Sequence, residues 1–316
     1  MTDSTSVRQV IIDFICLAIV WVPALIWHLI GKPFQRGFYC DDTSIRYPYK
    51  DSTVTDAELI GYSLSVPILL IIIVEIVSWK RNSKWEGIIQ QSSSSTTNIS
   101  SSIRFRSVVI KIVHIVAIFL FGEGCSQLAT DIGKYSVGRL RPHFIDVCQP
   151  ANLNELCPLG GPPIYITDYT CTGTDEKKLL DSRLSFPSGH SSFSAYSMLY
   201  LVIYLQCRMN WSGSKLLRPL IQIAALIFSW YTGLSRITDY KHHWSDVLTG
   251  FAIGYTAASL TYVFEQALYI AKFFKPSSYG TTPLLPQNRS DMTDIELQNH
   301  SEASAQCDCE TRPTST

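Results

Sequence analysis

The chain has 316 residues, and its 26 basic and 26 acidic side chains cancel to no net charge. That balance excludes a bulk electrostatic pull toward nucleic acid or toward a strongly acidic partner. Hydrophobic residues make up 46% of the chain, and they gather in runs separated by polar stretches, which argues against a soluble globular protein.

The first run, near residues 10–30, is long enough to cross a hydrocarbon core, which takes roughly 20 apolar residues. It carries Asp13 early and has no small-residue cleavage site before Gly31-Lys32-Pro33. It therefore reads as a spanning helix and not as a signal peptide. The second run (59–79) and the third (107–130) contain 68–77 and 115–121, which, Glu75 apart, are apolar on every helical face. Between them, residues 90–102 (QQSSSSTTNISSS) form a low-complexity stretch expected to be a mobile loop. The fourth (191–207) and fifth (217–235) runs are the weakest. One opens with Ser191, Ser192 and Ser194, and the other carries Arg218-Pro219. A sixth run covers 247–271. The expected fold is an all-α integral membrane domain over 1–274 with six transmembrane helices, followed by a disordered cytosolic tail, 275–316. Leu284-Leu285, Cys307 and Cys309 read most simply as parts of that tail, ahead of sorting or lipidation signals.

Six crossings place both termini on one side. The segments after the third run, before the fourth and between the fifth and sixth then share the other side. Three polar clusters lie there: residues 134–142 (KYSVGRLRP), 187–190 (PSGH) and 235–246 (SRITDYKHHWSD). Polar groups at membrane depth are costly and usually functional. The cations Lys134, Arg141 and Arg236 suit a phosphate monoester, whose dianion and developing charge they neutralise. Pro187-Ser188-Gly189 reads as a helix start whose free N–H groups would face that phosphate. His242 and Asp246 are four apart, so on a helical turn the carboxylate can hold the imidazole. His190 is then free to act as acid and base.

Together the blocks Lys-x6-Arg-Pro, Pro-Ser-Gly-His and Ser-Arg-x5-His-x3-Asp resemble the signature of the type 2 phosphatidic acid phosphatase superfamily. Their surroundings look like its lipid phosphate phosphatases, over about residues 8–272. The resemblance implies that His242 attacks phosphorus to form a phosphohistidine and that Asp246 orients it. It implies that His190 protonates the leaving alkoxide and then activates water. Lys134, Arg141, Arg236, Ser188 and Gly189 would hold the phosphate. No metal or other cofactor is implied. The expected substrates are phosphatidate, lysophosphatidate, sphingosine 1-phosphate and ceramide 1-phosphate, drawn from the bilayer, with homo-oligomer formation an option and no nucleic acid partner. A catalytically silent, lipid-binding relative is the alternative, but such proteins lose motif histidines or cations and this chain keeps them. His243, three before Asp246, is the competing nucleophile, which family spacing disfavours.

Other titratable residues invite plainer readings. His28 and His114 lie near helix ends and read as interfacial or packed, while Glu75 can snorkel from the end of its run. Glu123 and Asp131, on the approach to the first cluster, are candidates to support it. Basic residues crowd the second and fourth loops (Lys80, Arg81, Lys84, Arg104, Arg106; Arg208, Lys215, Arg218), which argues that those loops are cytosolic. Lys32, Arg36, Arg46 and Lys50 weigh the other way. Cys40, Cys148, Cys157 and Cys171 all fall on the motif side, an even number compatible with two disulfides in an oxidising compartment. The family places its active site outside the cell or in the lumen, so the expected location is the plasma membrane or an internal membrane with cytosolic termini. The sequons at Asn98, Asn210, Asn288 and Asn299 fall on the cytosolic side and read as chance matches.

Overall fold

The computed structural model describes residues 2–92, 101–158, 161, 163–209 and 213–273. The elements run α1 (Thr2–Ile30), β1 (Phe38–Tyr39), a short 3-10 turn, α2 (Asp56–Ser92), α3 (Ser101–Val137), α4 (Phe144–Cys148), α5 (Leu153–Leu156), β2 (Tyr165–Ile166), α6 (Glu176–Asp181), α7 (Gly189–Arg208), α8 (Leu217–Thr238) and α9 (Trp244–Phe273). Among the described residues, five helices contain stretches long and apolar enough to cross a membrane: Ile11–Ile30, Asp56–Arg81, Phe105–Val137, Leu217–Thr238 and Trp244–Gln266. They show the lipid their large side chains, among them Phe14, Leu69, Val113, Trp230 and Phe264.

The sixth expected span, α7, does not meet that standard of apolarity, and its position explains why. It is the axis of the bundle, packed against α2, α3, α8 and α9. Ser191, Ser192, Ser194 and Ser197 are all fully buried. A helix surrounded by other helices faces little lipid, so small residues that permit close approach replace large apolar ones. Ser192 meets Thr130 of α3 at 2.9 Å and Ser194 meets Ser229 of α8 at 3.3 Å, so these hydroxyls are satisfied inside the bundle.

At the end of the bundle where α7 begins, the connecting segments fold into a small cap. β1 and β2 pair antiparallel, Phe38 opposite Ile166. Phe38, Ile45, Leu140, Phe144 and Cys148 form its core. Two disulfides, Cys40–Cys157 and Cys148–Cys171, pin the cap, in keeping with the even cysteine count.

The opposite end holds a correction. Glu75 is 3% exposed and does not snorkel. It accepts from Arg208 of α7 and pairs with Lys111 of α3, at 3.1 and 3.2 Å, because those helices bring cations to it across the bundle. The stretch 90–102, expected as a loop, begins and ends in helix, since α2 runs to Ser92 and α3 starts at Ser101; its centre lies outside the described residues. So do the tail from 275, with Cys307 and Cys309, and the asparagines of the sequons.

Candidate active site

The three sequence clusters meet at the cap end. The last turn of α3 supplies Lys134, and Gly138 ends that helix with φ +55, a conformation that L side chains rarely adopt. The reversal carries Arg139 and Arg141 back toward the bundle. There the Arg141 N–H donates to the Ser182 carbonyl at 2.8 Å. Ser188 caps α7, its hydroxyl accepting from the Ser191 N–H, as expected for a helix start. Gly189 lies so close to Lys134 that an added Cβ would sit 3.0 Å from Nζ. The ammonium therefore rests against the PSGH backbone.

Arg236 ends α8 and is 1% exposed, the largest fully buried side chain among the described residues. Its Nε and Nη2 donate to Ser235 Oγ at 3.2 and 3.1 Å, and Nη2 donates to Asp239 at 3.0 Å. Asp239 is held in turn by the Thr53 N–H and hydroxyl, both at 2.7 Å. Arg141 donates Nη2 to Asp181 at 2.6 Å, while its buried Nε has no protein partner, leaving that donor for an anion. His190 Nε2 lies 3.0 Å from the Val54 carbonyl and 3.3 Å from Arg236 Nη1. The carbonyl can only accept and the guanidinium can only donate, so these two neighbours require opposite tautomers of the ring.

His242 sits in the short link between α8 and α9. Its Nδ1–H donates to the Ser185 carbonyl at 2.6 Å. In the neutral ring this leaves the Nε2 lone pair outward. Burial, then the charges of Arg141 and Lys134, holds this imidazole well below its ordinary pKa. Neutral imidazole is the form that can attack. His190, Arg141 and Lys134 all act on His242 electrostatically.

Asp246 is fully buried, but it lies 4.0 Å from His242 Nδ1, an ion-pair distance and not a hydrogen bond. The helical i,i+4 geometry expected of the pair is absent because α9 begins only at Trp244. Asp246 instead accepts from Arg139, from the Ser185 hydroxyl at 2.6 Å, and from the N–H and Nδ1–H of His243 at 2.9 and 3.2 Å. It thus ties down Ser185, whose carbonyl orients His242. Asp131 lies one turn before Lys134 and its charge acts on that ammonium. Glu123 is fully buried deeper in the bundle, bonded to Ser197 at 2.8 Å, and does not reach the site. His114 is exposed.

Several groups escaped sequence reasoning. Arg139 occupies an unassigned position within the first block, and Ser185 lies just ahead of PSGH; proximity to the blocks was the available signal. The Val54 carbonyl, from the segment before α2, has no side-chain signature. Lys241 stacks 3.7 Å above the Tyr49 ring. Its ammonium is lowered to about 8 by burial and by Arg141. His143, whose Nδ1–H donates to Tyr240 at 2.7 Å, is lowered to about 4, chiefly by burial.

Two comparisons with known proteins bear on this geometry. The model of the PAP2 superfamily matches residues 115–270, which contain all three blocks. Phospholipid phosphatase 1 of Mus musculus is 42% identical over 87% of this chain and 89% of its own length. Phospholipid phosphatase 2 of Homo sapiens is 37% identical over 84% of each chain. No solved structure matches the chain.

Proposed function

The chain belongs to the phospholipid phosphatases of the PAP2 superfamily, and on that premise we propose that it removes phosphate from lipid phosphate monoesters through a covalent intermediate on His242. The proposed substrates are phosphatidate, lysophosphatidate, sphingosine 1-phosphate and ceramide 1-phosphate. The observation that carries the reading is the His242 ring itself, held through Nδ1 by the Ser185 carbonyl so that Nε2 carries the lone pair, with the charges of Arg141 and Lys134 acting on it.

In the proposed sequence, Lys134, Arg141 and Arg236 bind the phosphate dianion, with the Ser188 hydroxyl and the Gly189 N–H at the start of α7 as further donors, the Ser188 N–H being taken by the Asp246 carbonyl at 3.0 Å. The Nε2 lone pair of His242 attacks phosphorus, a P–N bond forms and the P–O bond to the lipid breaks. His190 gives its proton to the departing alkoxide. The bound dianion offsets the three cations around His190 and lets it carry that proton. His190 then takes a proton from water, whose oxygen attacks phosphorus; the P–N bond breaks and inorganic phosphate leaves. Asp246 contributes by fixing Ser185, and its charge, 4.0 Å away, stabilises the positive ring of the intermediate. Three side-chain cations supply the charge neutralisation, so no metal is invoked.

The proposal includes α7 as a sixth span within the domain 1–274. The cap and site then face the extracellular or luminal side, and both termini face the cytosol. The two disulfides support this placement, since they form in oxidising compartments. The plasma membrane, or an internal membrane with the site in its lumen, meets this placement. A panel of the four lipids in mixed micelles tests the substrate class, with intact-cell activity measured beside lysate activity. Turnover of all four, most of it accessible in intact cells, is expected. Inactivity on every lipid phosphate with retained lipid binding would favour the silent alternative.

A further inference from the structure

At the end of the bundle away from the reaction site, α2 and α8 diverge. Near the cap they touch, Tyr62 bonding Thr232 at 2.9 Å and stacking edge-on against Phe228. Farther along α2 they part and leave an open groove of about 290 Å³ whose floor is α7. Its walls are apolar, formed by Leu70, Ile73 and Val77 of α2 and by Leu217 and Ile221 of α8. Among the described residues its lining carries two cations, Arg81 and Arg208, and no carboxylate. Glu75 and Glu265 act on Arg208 from elsewhere in the bundle and are not part of the lining.

The polarity of this groove is that of a phospholipid. From Leu70 to Arg81 the α2 helix rises about 16 Å, close to the hydrocarbon depth of one leaflet, about 15 Å. The apolar walls occupy that depth. The arginines lie where the apolar stretch of α2 ends in Trp79, Lys80 and Arg81, at headgroup level. Arg218, next in sequence to Leu217 of the wall, donates to the carbonyl of Met209, which also lines the groove. Basic pockets between transmembrane helices on one face are how acidic headgroups are held.

We propose that this groove is a second lipid site, selective for an acidic phospholipid of the leaflet opposite the reaction site. Its occupant is a resident lipid and not a substrate. The site lies at the C-terminal end of α7, while Ser188 and His190 lie at its N-terminal end. Twenty residues of helix, about 30 Å, separate the two.

The test uses phosphatidylglycerol, which carries the anion but no phosphate monoester, so a failure of the phosphatase reading does not affect it. Full-length protein in detergent is titrated with dioleoyl phosphatidylglycerol or dioleoyl phosphatidylcholine, and bound lipid is counted by native mass spectrometry. Phosphatidylglycerol should be retained at about fivefold lower concentration, the upper end of what one partly exposed ion pair contributes. Arg81→Gln should remove the preference by deleting charge, and Leu217→Trp should weaken retention of both lipids by filling the groove. Equal retention of the two lipids by the wild type overturns the proposal, as does a preference that survives both substitutions. Loss of the preference in Arg236→Gln assigns it to the reaction site. A preference that emerges only after removal of residues 275–316 makes the tail the occupant, and either result overturns the proposal.

Discussion

Gly250 of α9 packs directly against the start of α7, and replacing it with alanine tests that packing. An added Cβ would sit 2.5 Å from the Ser188 carbonyl oxygen, 2.8 Å from Ser191 Cβ and 3.2 Å from the Ser192 nitrogen. Two of these neighbours are backbone atoms, and the third is held by the α7 backbone. Restoring ordinary contact at 3.4 Å requires α7 and α9 to part by about 0.9 Å, the difference between 3.4 and 2.5 Å. Overpacking of this kind costs about 1–3 kcal/mol. Ser188 is also the cap of α7 and part of the proposed phosphate cradle, and a misplacement near 1 Å costs on the order of 10²-fold in rate. Gly61 on α2 is the internal control, with nothing within 4 Å of its added Cβ. Gly61→Ala should be neutral or stabilising by about 0.5–1 kcal/mol through helix propensity. Thermal unfolding in detergent and steady-state turnover of an aryl phosphate read both effects. Gly250→Ala with wild-type melting and wild-type turnover would refute the close packing of α9 on the PSGH turn.

Three further outcomes are expected. The Lys241 ammonium, lowered to about 8, loses its charge as pH rises through that value. The kcat/KM for a lipid phosphate should therefore bend down near pH 8, and in Lys241→Met the plateau should be lower with that limb gone; persistence of the limb would assign it elsewhere. Excess chelator should leave turnover intact and vanadate should inhibit, whereas activity lost to chelator and restored by magnesium contradicts the phosphate-binding scheme. A tag inserted in residues 160–163 should be stained on unpermeabilised cells and a C-terminal tag only after permeabilisation; the reverse pattern inverts the proposed orientation.

The sequence announced its membrane helices through apolar runs because lipid-facing surfaces must be apolar on every side that lipid touches. It announced α7 most faintly for the converse reason. That helix is enclosed by protein, and Ser191, Ser192, Ser194 and Ser197 are the small residues that enclosure requires. The groups proposed to react could be picked out because each is a side chain at a fixed spacing within a block. What orients them was not. The Ser185 carbonyl on His242 and the Val54 carbonyl on His190 are backbone atoms, which leave no residue-type pattern. Spacing also misled where it assumed a helix: His242 precedes α9, so Asp246 bonds to His243 and Ser185 and only approaches His242. Glu75 was misread because its partners, Lys111 and Arg208, come from other helices and lie far away in sequence.

The most direct test of the account is to trap the bond to His242. An activated aryl phosphate leaves without a proton, so His190→Ala should still form the phosphohistidine and then stall for want of a base to activate water. General acid–base help is worth roughly 10²–10⁴-fold, enough to separate the two steps in time. Rapid quench of His190→Ala with an aryl phosphate should show a burst of about one phenolate per active site, with acid-labile phosphate mapping to the peptide that contains His242. Label on His243, label retained by His242→Ala, or steady turnover of His190→Ala without a burst would contradict it.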